Sequence, residues 1–157
     1  MDIKLLILDV DGTLTDGKIY MSANGELIKA FNIKDGYALA NLSKYGVTPV
    51  IITGRQSEIV SKRCAELGIE DVYQGVKDKV ECLKKVCECK NVTIQQCAYI
   101  GDDLNDMDCM NLCGHSAAPA DAIKKVREHV DYICETQGGE GAVREYCDYI
   151  VEYLLNE

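Results

Sequence analysis

Two aspartates one residue apart, Asp9 and Asp11, close the apolar run Leu5-Leu6-Ile7-Leu8. Carboxylates are depleted from strands and costly to bury without a partner, so a pair of them at a strand end implies a bound cation, a reacting phosphate, or both. Three further segments share this character. Thr53-Gly54-Arg55 ends the run Pro49-Val50-Ile51-Ile52, Lys79 follows Gly75-Val76-Lys77-Asp78, and Gly101-Asp102-Asp103-Leu104-Asn105-Asp106 follows Cys97-Ala98-Tyr99-Ile100. Phosphoryl transfer needs a nucleophile, an acid/base, a magnesium ion and donors for the non-bridging oxygens, and these segments offer each. Asp9 is the candidate nucleophile, since a carboxylate can attack phosphorus to give an aspartyl-phosphate that water then hydrolyses. Asp11 is the candidate acid/base, protonating the departing sugar oxygen and later taking a proton from water.

The remaining residues of the set have supporting roles. Gly12 lets the chain turn tightly around the phosphate. The Thr53 hydroxyl and the Gly54 amide can donate to phosphate oxygens, although the same residues read as a helix cap and turn. Lys79 supplies a point charge, with Lys77 as its nearest rival. Magnesium takes oxygen ligands in an octahedron and retains waters. Asp9, the backbone carbonyl of Asp11 and Asp102 would therefore hold it directly, with Asp103 and Asp106 acting through water or from behind the ligands. Asp103 reads equally well as the N-cap of a helix beginning at Leu104.

The elements that must position these residues alternate along the chain. Apolar, β-branched runs predict strands over Lys4–Val10, Thr48–Thr53, Asp71–Val76, Cys97–Gly101 and Asp131–Cys134, with a possible short strand at Ser116–Ala118. Between them, three- and four-residue apolar spacing predicts helices over Tyr37–Tyr45, Ser57–Leu67, Asp78–Cys89, Asp103–Leu112 and Asp121–His129. Such alternation gives a Rossmann-like three-layer α/β/α sandwich with a mainly parallel sheet, whose ligands collect at the carboxyl ends of the strands. Two segments depart from it. Lys18–Phe31, with its Ser22-Ala23-Asn24-Gly25 turn, reads as a β-hairpin, and Gly138-Gly139-Glu140-Gly141 precedes an amphipathic helix from Ala142 to Leu155.

Composition narrows the function classes. At 157 residues the chain is expected to form one domain, and no apolar stretch reaches the ~20 residues needed to cross a bilayer. A net charge of -9 argues against nucleic acid and anionic membrane as partners. No secretory leader is recognisable, which suggests the cytoplasm. The nine cysteines are an odd number without a Cys-x-x-Cys pair, and they read as reduced thiols filling apolar positions rather than as a metal site around Cys87 and Cys89.

Asp9-x-Asp11-x-Thr13, Thr53, Lys79 and Gly101-Asp102-x-x-x-Asp106, in this order on successive strands, resemble the four motifs of the haloacid dehalogenase superfamily of phosphatases. Asp16-Gly17 with the hairpin, Phe31-Asn32-Ile33-Lys34-Asp35-Gly36, Arg63 before Leu67-Gly68-Ile69, and Gly138–Glu145 resemble the capless subfamily that acts on eight-carbon 3-deoxy-D-manno-octulosonate 8-phosphate or on nine-carbon sugar-acid 9-phosphates. The resemblance implies no cap domain, a magnesium-dependent phosphatase, and a homotetramer assembled partly through the hairpin, with neighbouring subunits covering one another's sites. It also implies that Arg55, Lys34 and Asp35 border the sugar pocket, that Arg63 reaches a neighbour's substrate carboxylate, and that the glycine-rich tail can fold over an active site. Arg55 points to the eight-carbon substrate and Glu140 to the nine-carbon one. Two other classes compete: a phospho-accepting receiver domain, whose accepting aspartate would lie on a later strand than its acidic pair, and a non-catalytic subunit, against which the intact Asp9 and Asp11 speak.

Overall fold

The computed structural model describes residues 1–154. Its elements in chain order are β1 (Leu5–Leu8), β2 (Tyr20–Ser22), β3 (Gly25–Ile28), α1 (Ile33–Asn41), β4 (Thr48–Ile52), α2 (Glu58–Glu66), β5 (Asp71–Tyr73), α3 (Lys79–Lys90), β6 (Cys97–Ile100), α4 (Leu104–Leu112), β7 (His115–Ala118), α5 (Lys124–Arg127), β8 (Tyr132–Ile133) and α6 (Ala142–Tyr149). Six strands form one sheet in the order β5-β4-β1-β6-β7-β8, every pair parallel, while β2 and β3 pair antiparallel as a separate hairpin.

β1 lies at the centre because its residues are apolar on both faces and every one is buried. The pleat sends Leu6 and Leu8 toward Leu39, Val60, Val143 and Tyr146 of α1, α2 and α6. Leu5 and Ile7 face Leu83, Val86, Cys109 and Met110 of α3 and α4. Leu8 is paired with Ile51 on one side and Ile100 on the other, so the three central strands end level. The connection direction reverses between β1 and β6, which opens a crevice at their carboxyl ends, where open α/β sheets bind ligands.

Several boundaries differ from the sequence reading, each for a local reason. The first strand ends at Leu8 because the Val10 carbonyl accepts the amides of Thr13, Leu14 and Thr15, winding the chain into a turn. The helix expected from Tyr37 starts four residues earlier, where the Asn32 side chain accepts from the Lys34 amide, and it ends as a 3-10 turn over Leu42–Tyr45. The helix expected over Asp121–His129 shortens to α5, because the Ala122 amide turns back to the Pro119 carbonyl. The hairpin forms, but its turn residues are Ala23 and Asn24, and Gly25 at φ 114° takes the left-handed position at the turn's exit. α6 continues as a π-helix over Ile150–Leu154; the expected end at Leu155 lies outside the described residues. Among the described residues no helix is long and apolar enough to cross a membrane.

The glycine-rich segment before α6 braces the loop after Asp11. The Gly139 amide donates to the Thr13 carbonyl (3.3 Å), and a Cβ on Gly138 would stand 2.0 Å from the Gly12 carbonyl oxygen, so only glycine allows this approach. α6 itself is tied to α1, where the Arg144 amide donates to Asp35 Oδ1 at 2.8 Å. Asp35 is only 1% exposed, and this burial pushes its carboxyl up to about 6 against the pull of the Arg144 amide and the Arg63 charge, with Glu140 adding to the rise.

A carboxyl raised on folding stabilises the folded chain most when it is protonated. Stability contributed at Asp35 should therefore be present below pH 3.8, decline as pH rises to about 6, and level off above it. Asp35→Asn keeps the acceptor oxygen and removes the titration. Its unfolding free energy relative to wild type should rise across that window by on the order of 2–3 kcal/mol, as measured by urea unfolding at several pH values; a difference that does not change with pH would contradict the assignment.

Candidate active site

The site is built around a buried lysine. Lys79 opens α3 directly after its cap Asp78, whose side chain accepts from the Glu81 amide, and this start turns the Lys79 side chain inward. Its ammonium pairs with Asp9 Oδ1 at 3.0 Å and with Asp106 Oδ1 at 2.8 Å, and it is 4% exposed. Lys77 is exposed, so the geometry selects Lys79 of the two candidates. Asp106 is fully buried: the Tyr99 hydroxyl donates to Oδ1 at 2.7 Å, and the amides of Asp102 and Asp103 donate to Oδ2 at 3.2 and 3.4 Å. Asp106 thus locks the loop after β6 and aims Lys79 at Asp9. Asp103 is the N-cap of α4, its carboxylate accepting from the Leu104 amide at 2.7 Å.

Asp102 sits beside Asp9, with Thr13 Oγ1 donating to its Oδ1 at 3.0 Å. Gly12 is required here twice over: its φ is 89°, and a Cβ would stand 2.0 Å from Asp102 Oδ2. Asp9, Asp102 and Asp106 bring oxygens within 4.8 Å of one another. Burial, then repulsion by Asp106, raises Asp9 to about 6 even though Lys79 opposes the shift. Burial, then Asp9 and Asp106, raises Asp102 to about 8. Burial alone would lower Lys79, but the two aspartates more than offset it and its pKa rises. Three carboxylates against one ammonium leave an excess of negative charge among oxygen donors, and a hard divalent cation fits such a set. Among the described residues this is the one cluster able to hold a metal. The cysteines form none: all nine are free thiols, Cys89 is exposed, and the Cys87 sulfur packs 3.5 Å from that of Cys97.

The cleft around this cluster holds about 400 Å³ and is lined by Asp9, Asp11, Thr53, Gly54, Arg55, Asp102, Asp103, Leu104 and Asn105. Thr53 is held at the end of β4 by its amide bond to the Tyr73 carbonyl, 3.0 Å. Arg63, Lys34 and Asp35 lie elsewhere. Lys34 is exposed on the first turn of α1. Arg63 pairs with Glu66 at 2.7 Å and lies over the Phe31 ring, and with Asp35 it lines a small cavity of about 10 Å³, room for roughly one water. Asp35 does not border the cleft because α6 covers it.

The sequence reading missed a second ionic cluster. Lys29, at the exit of β3 and with its side chain 2% exposed, pairs with Asp11 Oδ1 and with Glu26 Oε2 at 2.8 Å. Arg55 approaches Asp11 at 3.9 Å and Glu26 at 3.6 Å. Ser57 donates its hydroxyl to Glu26 Oε1 at 2.7 Å, and although it stands at the N-cap of α2 its side chain makes no cap bond. The Asn-Gly turn announced the hairpin, but no local pattern announced that it folds over Asp11.

The profile of the haloacid dehalogenase-like hydrolases matches residues 69–145. The 3-deoxy-D-manno-octulosonate 8-phosphate phosphatase of Escherichia coli K12 is 45% identical over 150 residues, covering 96% of this chain and 80% of that protein, and that of Yersinia pestis is 43% identical over the same span. The cobalt-bound phosphatase of this name from Haemophilus influenzae superposes with a TM-score of 0.93 at 40% identity, covering 96% of this chain and 88% of that one. The Moraxella catarrhalis phosphatase, solved with magnesium, phosphate and the eight-carbon sugar acid, gives 0.92 at 40% identity, covering 96% and 87%. By these relatives, its sheet order and its strand-end motifs, the chain belongs to the haloacid dehalogenase-like hydrolases, in the family of the 3-deoxy-D-manno-octulosonate 8-phosphate phosphatases.

Proposed function

We propose that this chain is a one-domain, magnesium-dependent phosphomonoesterase that hydrolyses 3-deoxy-D-manno-octulosonate 8-phosphate through an aspartyl-phosphate on Asp9. The observation that carries the reading is the Lys79 ammonium bridging Asp9 and Asp106 beside Asp102, at the level ends of β1 and β6. An Asp9 oxygen attacks phosphorus as the ester bond breaks, and Asp11 gives its proton to the departing sugar oxygen. Asp11, now a carboxylate, takes a proton from water as that water's oxygen attacks phosphorus, releasing phosphate and restoring Asp9. Thr53 and Gly54 offer donors to the non-bridging oxygens, and Lys79 offsets their charge. Asp9, Asp102 and the Asp11 carbonyl would hold magnesium, which when bound neutralises charge on the phosphoryl group. Arg55, half exposed on the cleft wall, is the proposed partner of the sugar acid. Within one chain Arg63, Lys34 and Asp35 take no part.

The proposal extends to a cytoplasmic homotetramer. The hairpin exposes Met21, Leu27 and Ile28, each more than half accessible, which supports its use as an assembly surface. The nine free thiols suit a reducing compartment.

With magnesium, the chain should show a higher kcat/KM for the eight-carbon 8-phosphate than for nine-carbon 9-phosphates, and chelation should remove activity that added magnesium restores. Preference for the nine-carbon substrates would overturn the substrate, and no phosphate release from any of them would overturn the reaction. Asp9→Asn should reduce turnover to background and Lys79→Met should lower it by about 10²–10³-fold, while Lys77→Met should stay near wild type; an active Asp9→Asn enzyme would remove its assigned role. In sedimentation, the Met21→Glu, Leu27→Glu double variant should shift a tetrameric wild type to smaller species; an unchanged distribution would dissociate the hairpin from assembly.

A further inference from the structure

Asp11 leaves its strand as part of a turn and lies at the edge of the cleft, so its backbone alone does not fix where its carboxylate points. The hairpin supplies what the turn lacks. Lys29 reaches Asp11 from the exit of β3, and its side chain is almost wholly buried although lysine is ordinarily a surface residue. Glu26 holds the same ammonium from the other side at 2.8 Å and is itself anchored on α2 by the Ser57 hydroxyl at 2.7 Å. Serine at an N-cap ordinarily bonds a helix amide; here it forgoes that bond and serves Glu26 instead. Ser57 in turn is fixed by its amide bond to Gln74 Oε1 at 2.8 Å. The chain of contacts runs from the loop after β5 through the start of α2 and the hairpin to Asp11.

We propose that Lys29 and Glu26 are positioning residues that clamp the Asp11 carboxyl toward the leaving oxygen, so that the hairpin forms part of the reaction machinery. Resting on the phosphatase reading above, the clamp acts in a single step. As the ester bond to the sugar breaks and the bond from Asp9 to phosphorus forms, the proton moves from Asp11 to the departing oxygen, and the Lys29 ammonium meets the negative charge Asp11 acquires. Glu26 offsets the charge of Lys29, and the four groups Asp11, Glu26, Lys29 and Arg55 together carry no net charge when all are ionised.

The test compares a sugar phosphate, whose alkoxide cannot leave without a proton, with p-nitrophenyl phosphate, whose phenolate can. Because kcat/KM covers only steps up to transfer onto the enzyme, it isolates the step in which Asp11 is the acid. In Lys29→Met the ratio of kcat/KM for the sugar phosphate over that for p-nitrophenyl phosphate should fall by about tenfold or more, a general acid being worth ~10²–10⁴-fold. Glu26→Gln, which keeps the side chain's shape, should lower the same ratio with the fold intact by circular dichroism. Equal losses on both substrates, or none, in both variants would overturn the clamp and leave the phosphatase reading in place. Wild type that releases phosphate from neither substrate would defeat that reading itself.

Discussion

An ammonium group cannot be buried in this sheet without carboxylates to receive it, and the centre of the molecule is arranged around that constraint. Lys79 is held between Asp9 and Asp106, and removing either partner would strand a charge away from water. Asp106 is in turn satisfied by a tyrosine from β6 and two amides from the loop that follows. Three elements, the exit of β1, the start of α3 and the loop from β6 to α4, are therefore fixed relative to one another by a few polar contacts at the end of a largely apolar sheet. The arrangement leaves one ammonium among three carboxylates, a shortfall of positive charge that suits the cation and the phosphoryl group of the proposed reaction.

Much of this was legible in the chain. Asp9 and Asp11 stood out because carboxylates are foreign to a run such as Leu5–Leu8, and the same contrast marked Asp102 after Cys97–Ile100. The parallel sheet followed from alternation alone, and the family membership removes the receiver-domain reading that the pockets of acid, threonine and lysine left open. Helix starts were harder. Ile33 and Lys34 carried no periodic signal of their own, so the cap at Asn32 went unread and the start of α1 lies four residues earlier than expected. The short strand expected at Ser116–Ala118 forms as β7 from His115, and every residue of it is buried because β6 and β8 flank it.

What escaped the sequence has a common physical cause: it depends on contacts between segments distant in the chain. Glu26 and Lys29 look like the solvated charges of an exposed hairpin, and only the fold of that hairpin over the cleft turns them into neighbours of Asp11 and Ser57. Asp103 could not be resolved between cap and ligand until the Leu104 amide was seen to take its carboxylate. Asp35, assigned to the sugar pocket by resemblance, lies between α1, α2 and α6 beside Arg63 and not in the cleft of its own chain. A helix turns successive residues to different faces, so Lys34 is exposed while Asp35 is buried.

The two glycines that press on the loop after Asp11 come from a segment more than 120 positions downstream of it, since Gly139 bonds Thr13. β1 likewise finds its partners only when β4 and β6 exist, so the nascent N-terminal strand has nothing to pair with as it emerges. Closing such distant contacts is the slow part of folding. Seating the acid group that follows β1 is consequently deferred in biosynthesis until residues more than 120 positions later have been translated and have folded back onto it.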